Sequence, residues 1–113
     1  MPNFEDLNLI DLIKVFRADV VSIQENRSAS LFKQASKDLQ SIYNLHIASK
    51  NVLKEVEYYL KNLYKSFNYA AVTVNDVLKK KTLDPKSGAM MDECLEVMIK
   101  CCDIIISKLS KKN

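Results

Sequence analysis

Residues 35–77, ASKDLQSIYNLHIASKNVLKEVEYYLKNLYKSFNYAAVTVNDV, decide how this chain folds. Within them Ala35, Leu39, Ile42, His46, Ser49, Leu53, Val56, Leu60, Leu63, Phe67, Ala70, Val74 and Val77 follow one another in 4-3-4-3 steps, with no Pro or Gly between them. A repeat averaging 3.5 residues keeps one helix face turned towards a neighbouring helix along its whole length. Carried back to a cap at Ser28 and forward to the basic run Lys79-Lys80-Lys81, the pattern predicts a single helix over 28–81. Such a helix would be about 80 Å long at 1.5 Å per residue, whereas a globule of this chain length is only about 26–28 Å across. Either the helix breaks, near Asn62 or Asn68, and the chain closes into a self-contained bundle, or the protein is elongated and buries its seam against other chains. The unbroken seam favours the elongated form.

The flanking segments are also helical in pattern. Helix 1 is expected over 5–24, with Asn3 as cap, Glu5 and Asp6 near the positive helix start, and Leu9, Ile13, Phe16, Val20 and Ile23 in the same 4-3 steps. Glu25-Asn26-Arg27 is a polar break before Ser28. Leu83 to Gly88 holds both strong breakers, Pro85 and Gly88, and separates the long helix from helix 3, expected over 89–110. That helix carries two adjacent seams, Met91, Leu95, Met98, Cys102, Ile105 and Leu109 beside Met90, Cys94, Val97, Cys101 and Ile104, as a helix inside a bundle does. The fold class expected is therefore all-α: a single domain over 1–113, three helices with a long central heptad-patterned one, in a coiled-coil or helical-bundle assembly.

Composition narrows the function. With 48% hydrophobic and 27% charged residues the chain has enough apolar matter for a core, which sets it apart from disordered sequences. One Gly and two Pro leave little room for hairpins or phosphate-cradling loops. The net charge of +3 comes from interspersed Lys, Arg, Asp and Glu, so nothing points to nucleic acid. Three cysteines, Cys94, Cys101 and Cys102, are odd in number, contain no CxxC and lie far from the single His46, which disfavours a disulfide framework and a zinc site. Their spacing is that of small buried hydrophobes in a reducing compartment. The start Met-Pro-Asn-Phe-Glu-Asp lacks a signal-peptide pattern, Pro2 stands where myristoylation needs Gly, and no apolar run approaches a membrane span. A cytoplasmic location is expected, with membrane contact only peripheral or through partners.

No acid and base are paired for catalysis. Glu55 and Glu57 fall on different helix faces, and Asp92, Glu93 and Glu96 sit where a helix start favours acids. No enzyme activity, cofactor or metal is expected. His46 lies on the main seam, where a lone polar residue fixes register or partner choice at a cost in stability, so His46→Leu should stabilise. Tyr43, Tyr58, Tyr59, Tyr64 and Tyr69 crowd the long helix, and tyrosine-rich faces suit protein contacts. The expected protein interface is Leu39, Ile42, His46, Leu53, Val56, Leu60, Leu63, Phe67 and Val74. Its expected partners are other helical subunits or further copies of the chain.

The segment from Phe16 to Leu45 resembles the BORC complex subunit eight family, through Phe16, Val20, Ile23, the Glu25-Asn26 pair, Ser28, Leu31, Phe32, Lys33, Ser41, Ile42 and Leu45. Tyr69-Ala70 and Val74 are similar after a small shift, whereas Arg27 stands where the family has Pro, and helix 3 matches only loosely. The resemblance covers about half of the chain. It implies a non-catalytic subunit of an elongated assembly on the cytosolic face of lysosomes, helping to recruit a small GTPase and, through it, kinesin motors. The other reading of the residues is a self-contained helical-bundle chaperone or inhibitor that binds a partner protein.

Overall fold

A computed structural model describes residues 4–26, 28–49, 52–80 and 85–111; the side chains of residues 4, 5, 74–80 and 85–87 lie outside that description. Four helices make up the described chain: α1 (Phe4–Glu25), α2 (Ala29–Ala48), α3 (Lys54–Lys80) and α4 (Pro85–Ser110). The all-α expectation holds, but the single helix over 28–81 does not. Its seam is divided between α2 and α3, and the break falls between Ala48 and Lys54; Asn62 and Asn68 are inside α3.

Local chemistry explains the position of the break. Ser49 and Asn51 are weak helix formers whose short polar side chains compete with the helical backbone. Ser49 leaves the helix with φ −87° and ψ 128°, and its N–H donates to the carbonyls of Leu45 (3.0 Å) and His46 (3.2 Å), closing the last turn. The Glu57 N–H donates to the Leu53 carbonyl as the next helix begins. Interrupting the helix forfeits a few backbone hydrogen bonds, each of about 0.5–1.5 kcal/mol net. In return the α3 seam folds back onto the chain's own helices, and each fully buried Leu, Ile or Phe contributes about 1.5–3 kcal/mol. Val56, Leu60, Leu63 and Ala70 are completely buried this way, which decides the balance for a chain without partners.

The last helix starts earlier than its seams predict, at Pro85, because proline has the right φ for a helix start and its missing N–H is not needed in the first turn. Ser28 takes the N-cap position of α2 with extended backbone angles, but its hydroxyl lies 2.8 Å from that of Ser30 and makes no cap hydrogen bond.

Antiparallel neighbours form the bundle: α1 packs against α2 and α4, α4 also packs against α3, and a sparse α3–α2 contact closes the ring. Arg17 pairs with Asp103 (2.7 Å) and Gln24 donates to Glu96 (3.2 Å), so α1 and α4 run in opposite directions. Lys108 with Glu55 (2.9 Å) and Tyr69 with Met90 (3.3 Å) show the same for α3 and α4. All four seams meet in one core, and its largest fully buried members include Phe16, Ile13 and Ile23 of α1, Ile42 of α2, Leu60 and Leu63 of α3, and Met91, Leu95 and Met98 of α4. Phe67 of α3 reaches both Phe16 (ring centroids 5.9 Å, edge on) and Phe32 (6.3 Å, tilted), joining α3 to the α1–α2 pair. The molecule measures 48 × 21 × 20 Å, with a radius of gyration of 14.6 Å.

Candidate functional site

Although α2 and α3 are consecutive, they touch sparsely. Two ring contacts act as struts between them: Phe32 on Phe67, and Tyr43 on Tyr64 at 5.6 Å, edge on. His46 adds a polar link, with its Nδ1 3.1 Å from the Tyr64 hydroxyl, its ring stacked on Tyr64 at 6.0 Å, and its Nε2 3.9 Å from Glu57. Along these struts an open groove of about 300 Å³ is lined by Ser36, Leu39, Gln40 and Tyr43 of α2 and Tyr64, Phe67 and Asn68 of α3.

The wall sequence explains why the groove stays open. On a helix, positions 36, 40 and 43 lie on one face beside the core stripe of Phe32, Ala35, Leu39 and Ile42. Ser36 and Gln40 are polar where closure against α3 would need apolar side chains, and Asn68 does the same from the opposite wall. Gln40 is held on its wall by a 3.0 Å hydrogen bond to Asn44. Burying these amides without partners would cost about 1–3 kcal/mol each, so the walls remain solvated. Burial pushes the Tyr64 hydroxyl well above the usual phenol range, with the nearby Tyr43 adding to the effect, so Tyr64 is a neutral hydrogen-bonding group.

The residues expected at an intermolecular interface are distributed differently. Ile42, Val56, Leu60 and Leu63 are fully buried in the chain's own core. Leu39 and Phe67 are nearly buried and form the groove floor, His46 is half-buried against Tyr64 and outside the groove lining, and Leu53 is 38% exposed next to the helix break. The side chain of Val74 lies outside the described residues. Thus the structure brings Leu39 and Phe67 into the groove, sets His46 against the groove residue Tyr64, and assigns most of the remainder to the core. Ser36, Gln40, Tyr64 and Asn68 complete that site from off-seam positions.

Cys101 and Cys102 are buried and Cys94 is half-buried; burial raises all three thiols, Cys102 to about 12. Lys108 donates to Glu55 and holds that carboxyl below its ordinary value. Between α1 and α2, Asp19 is raised to about 7, first by burial and then by the hydrogen bond and charge of Asp38. One Asp19 oxygen, Oδ2, is buried without a hydrogen-bond partner. Among the described residues no group of three or more His, Cys, Asp or Glu could hold a metal ion, and no helix is long and apolar enough to cross a membrane.

No family model, curated protein or solved structure matches the chain. The groove and its chemistry are therefore the basis for a functional reading.

Proposed function

We propose that this chain is a non-catalytic protein-binding module, a helical bundle that receives a segment of a partner protein between α2 and α3. The observation that carries the proposal is the open groove itself, with aromatic and aliphatic floor residues Leu39, Tyr43, Tyr64 and Phe67 and amide-bearing walls at Gln40 and Asn68. Apolar floors flanked by a few polar groups capable of orienting a ligand are the usual composition of a recognition site. Tyrosine suits such a surface because it adds large contact area with few rotatable bonds to order.

Membership of a multi-subunit assembly at the cytosolic face of lysosomes, as the resemblance to BORC subunit eight implies, is the wider form of the same proposal. Its support is the set of matching positions, of which Phe16, Val20, Ile23, Phe32 and Ile42 are core residues of this bundle, while Glu25, Asn26, Lys33 and Ser41 are exposed. Similar helix packing would account for the apolar positions without any shared binding surface. The groove supports partner binding in either setting.

The test is to purify the tagged chain from its native cells and identify stoichiometric partners. Gln40→Trp should fill the groove and displace the partner, while Val97→Gln on the exposed side of α4 should retain it. Circular dichroism of both variants confirms that the bundle is folded. A partner retained at full stoichiometry by folded Gln40→Trp would place binding elsewhere.

A further inference from the structure

The two walls of the groove carry the same charge pattern. On α2, Lys33, Lys37 and Gln40 are spaced by four and three residues, and on α3, Lys61, Lys65 and Asn68 repeat that spacing. Gln40 and Asn68 line the groove. Helical geometry places Lys33 within about 20° of the direction of Gln40, and Lys61 within about 20° of Asn68, with Lys37 and Lys65 about 60° away. All four lysines are exposed, so an amide wall rises to a basic rim on each side of an apolar floor. Glu57 lies beside this rim, 3.7 Å from Lys61. On α2, Asp38 points instead towards α1 and Asp19.

We infer that the groove's occupant is an amphipathic helix of a partner protein, with an apolar stripe flanked on both sides by Asp or Glu. This inference rests on the groove being the binding surface. The floor supplies aromatic contacts for apolar side chains at helical spacing, as in other helix-in-groove recognition. Ser36 to Tyr43 spans roughly 10 Å along α2 at 1.5 Å per residue, which matches about two turns of the occupant. Paired basic rims select a ligand acidic on both edges and set its encounter rate and orientation, while covering the aromatic floor provides most of the affinity. A flat anionic surface such as a membrane would reach the lysines but leave the concave floor unused, and it is therefore the disfavoured occupant.

A displayed library of helical 16-residue peptides tests this directly, with leucines fixed at 4-3 spacing and the flanking positions randomised among Glu, Gln and Lys. Selection on the full-length chain should enrich Glu at both flanks, and the enriched peptides should lose binding to folded Gln40→Trp. Reversing the rim with Lys33→Glu, Lys37→Glu and Lys65→Glu together should weaken those peptides at least tenfold and reverse the preference to Lys. Enriched peptides with no charge preference, or a basic one, that still depend on Gln40 would overturn the acidic-helix partner and leave the groove standing. Failure to enrich any peptide, or enrichment indifferent to Gln40→Trp, would overturn both. Rim-dependent binding of phosphatidylserine vesicles, with no peptide enriched, would assign the lysines to a membrane surface and refute the inference.

Discussion

Removing the Phe67 ring is the sharpest test of whether α3 folds back on α1 and α2. Phe67 is 6% exposed and its ring meets Phe16 at 5.9 Å and Phe32 at 6.3 Å, so three helices share one aromatic cluster. Burial and cavity terms for Phe→Ala in a core sum to about 3–5 kcal/mol. One side of the ring opens to the groove, which places Phe67→Ala near the lower end of that range. A domain of this size is stable by only about 5–15 kcal/mol, so the loss should be a large fraction of the total. Urea unfolding followed by far-UV circular dichroism measures it, and the slope should be unchanged from wild type. A double-mutant cycle on Phe16→Leu and Phe67→Leu should show a coupling of about 0.5–1.5 kcal/mol for the edge-on pair. A loss below about 1 kcal/mol together with no coupling would mean that the rings do not meet in solution, and that α3 is not packed on α1 and α2.

Two further substitutions test the polar contacts. Asp19 binds its proton more tightly in the folded chain, at about 7 against an ordinary 3.8, so its contribution to stability is intact below about pH 4 and is lost as pH rises through 7. Asp19→Asn should therefore match wild type near pH 4 and exceed it by about 1–2 kcal/mol at pH 8, after allowance for solvent screening of a half-buried group; denaturation across this pH range measures the difference, and a flat or inverted difference would contradict the Asp19–Asp38 pairing. His46→Leu should destabilise by about 1 kcal/mol, because it leaves the half-buried Tyr64 hydroxyl without its partner; a higher melting temperature in the mutant would instead support the register role expected from its place on the seam.

Much of the helical pattern is legible in the amino-acid order. Leu9, Ile13, Phe16, Val20 and Ile23 are the buried stripe of α1, and Met91, Leu95, Met98, Cys102, Ile105 and Leu109 that of α4, as their spacing implies. Apolar periodicity identifies the face a helix buries but not the helix that covers it. For that reason Val56, Leu60 and Leu63 are correctly apolar-facing yet meet their own chain. The break at 49–53 is hidden because Ser49 and Leu53 keep the heptad phase across it; the available signal is the pair of weak helix formers, Ser49 and Asn51. The groove is harder to foresee, since Ser36, Gln40 and Asn68 are ordinary surface residues until two helices are splayed around them. The repeated Lys-x3-Lys-x2-amide pattern is the sequence trace it leaves.

The back-folding that creates the groove is tested most directly by small-angle X-ray scattering on the size-fractionated chain, with its mass measured in the same run. A closed bundle should appear as a 12.9 kDa monomer with a radius of gyration near 14.6 Å, slightly larger once hydration is included. A rod-like particle of roughly 23 Å or more, the value for a continuous helix about 80 Å long, would show that the seam runs unbroken through Ser49 and would contradict both the bundle and the groove.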